Sequence, residues 1–244
     1  METKGYWRLL CYNQAVNYPN LKFDLNINFD LWTAGNFLKK ADDLFTKAIT
    51  DEHPELIDKQ NDPKFINKYV QKKYGELNDA LEKSRGGAEK DWKNVKKGYF
   101  ETVETLFTSE GGQSFPWPKG EYICFMSIFN CNPRFIDKKE FQVYYKHVYG
   151  SNEVCMHEML HFIFYAYIEN EFPNEYKNRD KDYIWKLSEV FNDIILRLPE
   201  FVKLTGIKKP DIYAQTQKEL EKNTKLWDES NGIKDFIHNY LKSN

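Results

Sequence analysis

Residues 157–161 read His157-Glu158-Met159-Leu160-His161 and sit inside the apolar run VCMHEMLHFIFYAYI. No other feature restricts the fold so tightly. On a helix, positions i and i+4 share a face, so both imidazoles can reach one zinc ion while Glu158 points to the side where a metal-bound water would sit. Burying two histidines and a carboxylate in such a segment is costly unless something satisfies them. A metal would do that. The pattern therefore predicts a buried helix with an ion on one side, and the rest of the chain must close around it.

A catalytic zinc takes three protein ligands and keeps one position open for water. Downstream, WKLSEVFNDIIL places Glu189 28 positions after His161 in a second apolar setting, with Asp193 one turn further on. The first carboxylate can ligate the metal, and the second can accept the free ring N–H of a ligating histidine and fix its tautomer. Glu169, Glu171 and Glu175 compete for the third position, but the first two follow the motif too closely to fold back from a separate helix. Cys155, two residues before His157, points away from the ligand face and reads as a core thiol.

On these residues the chain resembles the gluzincin branch of the zincin metallopeptidases, which includes the thermolysin-like enzymes and the small minigluzincins. The resemblance covers about residues 121–198. It implies His157 and His161 as zinc ligands, Glu158 as general base, Glu189 as third ligand and Asp193 as the carboxylate behind a ligand histidine. It also implies a peptide or protein substrate. Members of the clan steady the oxyanion with a downstream His or Tyr; the candidates here are Tyr183, Tyr176, Tyr165 and His238, with no matching motif around any of them. Metzincins are disfavoured, because their pattern continues with a Gly and a third His, whereas this chain reads FIFYAYIEN.

Composition narrows the alternatives. The 244 residues carry 35 basic and 37 acidic side chains, a net charge of −2 that offers no field to collect phosphate backbones or anionic lipid. Nucleic acid and membrane are therefore not expected partners. A mean hydropathy of −0.73 is offset by 18 Phe and 16 Tyr, enough ring area for a sizeable core. Cys11, Cys124, Cys131 and Cys155 form no CxxC pair, which favours a reducing compartment, although a bridge between Cys124 and Cys131 stays open on spacing alone. METKGYWRLLCYNQ has no apolar core of signal-peptide length, and no run approaches the ~18 apolar residues of a membrane span, so a soluble cytoplasmic protein is expected.

Periodicity supplies the frame. Residues 21–30 alternate as a strand; residues 34–59 and 63–83 read as exposed amphipathic helices, and Arg85-Gly86-Gly87 breaks the pattern before a backing helix over 88–107. A Gly- and Pro-rich connection covers 110–119, with GGQSFPWPKG as a plain turn more than a ligand loop. Strands at 122–129 and 141–145 precede the motif helix, which starts at Ser151 as N-cap and runs to Ile168. A helix over 182–198 is stopped by Pro199, and one or two polar helices follow Pro210.

The expected fold is α+β and zincin-like: a small N-terminal mixed sheet with a backing helix and the active-site helix, then a helical C-terminal lobe. Residues 1–244 form one catalytic domain, with a lobe of residues 1–161, a lobe of residues 162–244 carrying the third ligand, and a cleft between them. Substrate would pair as an added strand on 122–129 or 141–145. The alternative reading keeps the fold and one zinc ion but does not cut: a latent or regulatory zinc-binding protein whose cleft its own chain covers.

Overall fold

A single asparagine shortens the first strand. In the computed structural model, which describes residues 18–38, 43–109, 111–206 and 217–243, β1 spans only Leu21–Leu25. The Asn26 side chain then accepts hydrogen bonds from the backbone N–H groups of Asn28 and Phe29, capping α1 (Ile27–Phe37). The alternation of Ile27 and Phe29 thus continues a strand pattern into a helix. The helix expected over 34–59 is likewise divided: α2 (Leu44–Glu52) has its own cap in Asp43, and Pro54 opens a short 3-10 turn (Pro54–Leu56).

The glycine pair does not break the next helix. α3 runs from Pro63 to Leu106, 44 residues or about 66 Å. Leu81 and Ala88 lie seven residues apart, two turns of one buried stripe that continues through Trp92, Tyr99 and Val103. Arg85 also pairs with Glu82 and Glu89 on either side of the glycines. Two glycines cost a helix ~1 kcal/mol each, less than the packing of such a stripe returns.

The sheet adds β2 (Tyr122–Ser127), β3 (Arg134–Phe135) and β4 (Glu140–Tyr144) in the order β1-β2-β4-β3. β1 pairs with β2 and β2 with β4 in parallel; β3 pairs with β4 antiparallel. This overturns the expected docking strands, because β2 and β4 are both interior and the edges are β1 and β3. β3 is only two residues long and lies in the segment between the two strands read from the sequence.

α4 (Ser151–Glu171) follows Gly150, whose φ of 78° makes it the capping position, with Ser151 the first helical residue rather than the cap. Next come α5 (Pro173–Asn178), α6 (Lys181–Ile195), α7 (Pro199–Thr205), α8 (Gln217–Asp228) and α9 (Ile233–Ser243), so Pro199 begins a helix as well as ending one. α4 is buried nearly all round. On its sheet side Phe162 meets Tyr122 and Phe141, Cys155 Sγ lies 4.0 Å from Cys124 Sγ, and the Tyr99 hydroxyl of α3 donates to the Met156 carbonyl. One apolar core reaches from Leu21 to Leu241, and α4 runs unbroken through the expected lobe boundary at residue 161. Cys124, Cys131 and Cys155 are free thiols, so the bridge left open by spacing is not formed; Cys11 lies outside the described residues. No helix among the described residues is long and apolar enough to cross a membrane.

The opposite face of the sheet is covered by α1, with a polar knot at its centre. Asp30 is fully buried and accepts hydrogen bonds from Ser127 and Gln142, while Thr33 donates to Gln142. Burial pushes the Asp30 pKa from 3.8 to about 6, against the pull of Ser127, Tyr74 and Gln142. A carboxyl raised in the folded state contributes stability that is complete below its unfolded pKa and fades as pH rises to about 6. That interval corresponds to roughly 3 kcal/mol. Asp30→Asn keeps an acceptor for both donors and removes the charge. Urea unfolding at pH 4 and pH 7 should show wild type losing up to that much more than the variant between the two; parallel losses would disprove the buried charge.

Candidate metal centre

α4 and α6 cross with their buried faces together, and Asn192 Nδ2 donates to the His157 carbonyl at 2.9 Å across the contact. Helical spacing stacks His157 and His161 on one face, ring centroids 4.7 Å apart. Glu189 reaches them from α6. His157 Nε2 lies 3.0 Å from His161 Nε2 and 3.1 Å from Glu189 Oε2, and His161 Nε2 lies 3.5 Å from Glu189 Oε1. A tetrahedral ion bound at 2.0–2.1 Å has donor-to-donor edges of about 3.3–3.4 Å. The three side chains therefore form a buried group that can hold a metal ion. His161 Nδ1 is buried without a hydrogen-bond partner; with the Nε2 lone pair turned to the shared point, Nδ1 carries the ring N–H, a donor that no acceptor among the described residues meets.

Electrostatics follow the same geometry. Burial pulls the His157 pKa down, but the hydrogen bond and charge of Glu189, with Glu158 behind them, raise it to about 9. For His161, burial and then the Arg134 cation lower it to about 3. Burial would raise the Glu189 carboxyl, yet His161, Arg134 and His157 together hold it well below the ordinary carboxylate range. Glu158 is 1% exposed, and its pKa is raised by burial against the opposing pull of Arg134 and His157. Asp193 is buried too and is pushed to about 7 by burial, with the His157 charge opposing. It lies within electrostatic reach of His157, but its Oδ2 accepts no hydrogen bond.

The rival carboxylates stand apart: Glu169 and Glu175 are exposed, and Glu171 pairs with Lys234. Of the hydroxyl candidates, Tyr165 lies nearest, its ring 6.3 Å from His161 and its hydroxyl 3.5 Å from Ser188 Oγ. Tyr176 lies beyond it, within electrostatic reach of Tyr165, Glu169 and Asp137. Tyr183 packs instead against Arg179 and Tyr240 of α9. His238 lines a cavity of about 1020 Å³ with Phe115, Tyr167 and Glu171, none of them a metal donor.

Two residues of the centre carry no motif. One is Asn192, which locks α6 onto α4. The other is Arg134 of β3, whose Nη1 lies 3.3 Å from Glu158 Oε2 and whose Nη2 lies 2.7 Å from Glu189 Oε1. Its side chain is 11% exposed. The one available signal was usage, since the chain has only five arginines among 35 basic residues and only a guanidinium forks onto two carboxylates. Compared with known protein families, curated proteins and solved structures, the chain matches none.

Proposed function

We propose that the chain is a zinc-dependent metallopeptidase of the gluzincin type, with a zincin-like fold. One observation carries the reading: Glu158, which is not among the three candidate metal donors, is held on the helix that bears two of them, His157 and His161, with 1% exposure. A three-donor zinc polarises a carbonyl and lowers the pKa of water. His157, His161 and Glu189 would hold it. Glu158 takes the proton from the attacking water and later delivers it to the leaving amine. An extended substrate lies along β3, the sheet edge that borders the centre through Arg134.

The test combines elemental analysis with digestion of a broad peptide library. Close to one zinc per chain is expected, with cleavage abolished by a chelator and restored by zinc. A second reading has its own support, because Glu158 and Glu189 are each 1% exposed beneath the Arg134 guanidinium. It is a latent or regulatory zinc-binding protein, and zinc-loaded protein that cleaves nothing in the library would favour it.

A further inference from the structure

We propose that Arg134 is a catalytic residue of this site, the cation that stabilises the oxyanion formed when a substrate carbonyl is attacked. This rests on the metallopeptidase reading and fills the role for which the sequence offered only Tyr and His candidates. Placement comes first. Arg134 is paired opposite Phe141, which packs on Phe162 of α4, so both project from the α4 side of the sheet; Phe135 turns to the other face and stacks on Phe29. The guanidinium then reaches Glu158 and Glu189 with one nitrogen each. A group hydrogen-bonded to the base lies one further hydrogen bond from the atoms that base serves, and a guanidinium has five N–H donors to share.

Charge decides the role. At rest Arg134 faces two carboxylates. On attack, a water O–H bond breaks and its proton goes to Glu158, a C–O bond forms, and the carbonyl π pair moves onto oxygen. Negative charge thus leaves Glu158 and appears on the tetrahedral carbon's oxygen, within the same guanidinium's reach. The new pairing exists only from the transition state onward, which is the condition for accelerating the step. A cation beside a dication opposes metal binding by its charge, so Arg134 could strengthen the metal site only by orienting Glu189, and the oxyanion role predicts no loss of metal when it is replaced. That sets the sign of the metal readout.

The experiment uses cobalt-loaded full-length chain and methylphosphonate, a tetrahedral oxyanion, titrated against the cobalt absorption bands. Arg134→Gln is expected to hold metal at least as tightly as wild type and to lose tenfold or more in methylphosphonate affinity. Arg134→Lys, which keeps the charge without the fork and guards against a folding defect, should fall between. On any peptide that is cleaved, kcat should drop ~10²–10³-fold in Arg134→Gln with KM little changed. Unchanged methylphosphonate affinity overturns the proposal and leaves the metal reading intact. So does metal loss in both variants, which would make Arg134 a support for Glu189, or a gain in turnover, which would make it a plug. Wild type that takes up no cobalt sinks the metal site and this inference together. If the wild type binds cobalt and methylphosphonate through Arg134 yet cleaves no peptide, the peptidase reading fails and the anion site stands.

Discussion

Glu158→Gln is expected to keep its metal and its thermal stability while turnover collapses by at least ~10²–10⁴-fold, the contribution of general acid–base catalysis. The amide matches the carboxylate in size, and its oxygen can still accept from Arg134 Nη1, now at 3.3 Å from Glu158 Oε2. Only basicity is lost. Because Glu158 is not one of the three donors, zinc per chain should equal that of wild type. Peptide digestion and zinc measurement on both proteins decide the matter: equal cleavage means another base or a contaminant, and zinc loss means Glu158 is itself a ligand.

The second large effect is at Glu189, where substitution by Ala should strip the metal and destabilise the fold together. The carboxylate faces both histidines and Arg134 with 1% exposure. Its removal leaves an incomplete metal site and an Arg134 cation with one partner fewer in a buried setting. Breaking a buried pair from one side costs about 3–5 kcal/mol, so the melting temperature should fall even in metal-free protein. Asp193→Ala is the graded control, expected to weaken zinc retention only ~10–100-fold. Full zinc in Glu189→Ala, with loss on changing Glu169, Glu171 or Glu175, would assign the third ligand elsewhere.

What could be read from the residues tracks how local the determining contacts are. His157, Glu158 and His161 are set by one helical turn, and Glu189 by an apolar helix whose amphipathic face had to meet another. The α+β class followed from the two alternating periods. Arg134 escaped because a two-residue strand after Asn132-Pro133 has no periodicity to detect, and its importance comes from carboxylates 24 and 55 positions away. The glycines at 86 and 87 lower local helix propensity, but the apolar stripes on either side of them, ending at Leu81 and resuming at Ala88, are in phase, and packing along that stripe carries the helix through. At Asn26 the opposite held: one cap hydrogen-bonding to the next turn outweighed a longer alternating pattern.

The β1–β2 pairing has a kinetic consequence. Leu25 and Tyr122 flank 96 residues, and closing such a loop costs roughly 4 kcal/mol of chain entropy before any ladder bond forms. The candidate metal donors, by contrast, fall within 33 residues on two helices joined by a short segment. Contacts of short sequence separation form first. The half of the chain that gathers His157, His161 and Glu189 should thus assemble early, with β1 docking as the late, rate-setting event. α3, once helical, makes nearly half of the intervening chain a stiff strut, so the search left to β1 is that of a tethered strand rather than a free coil.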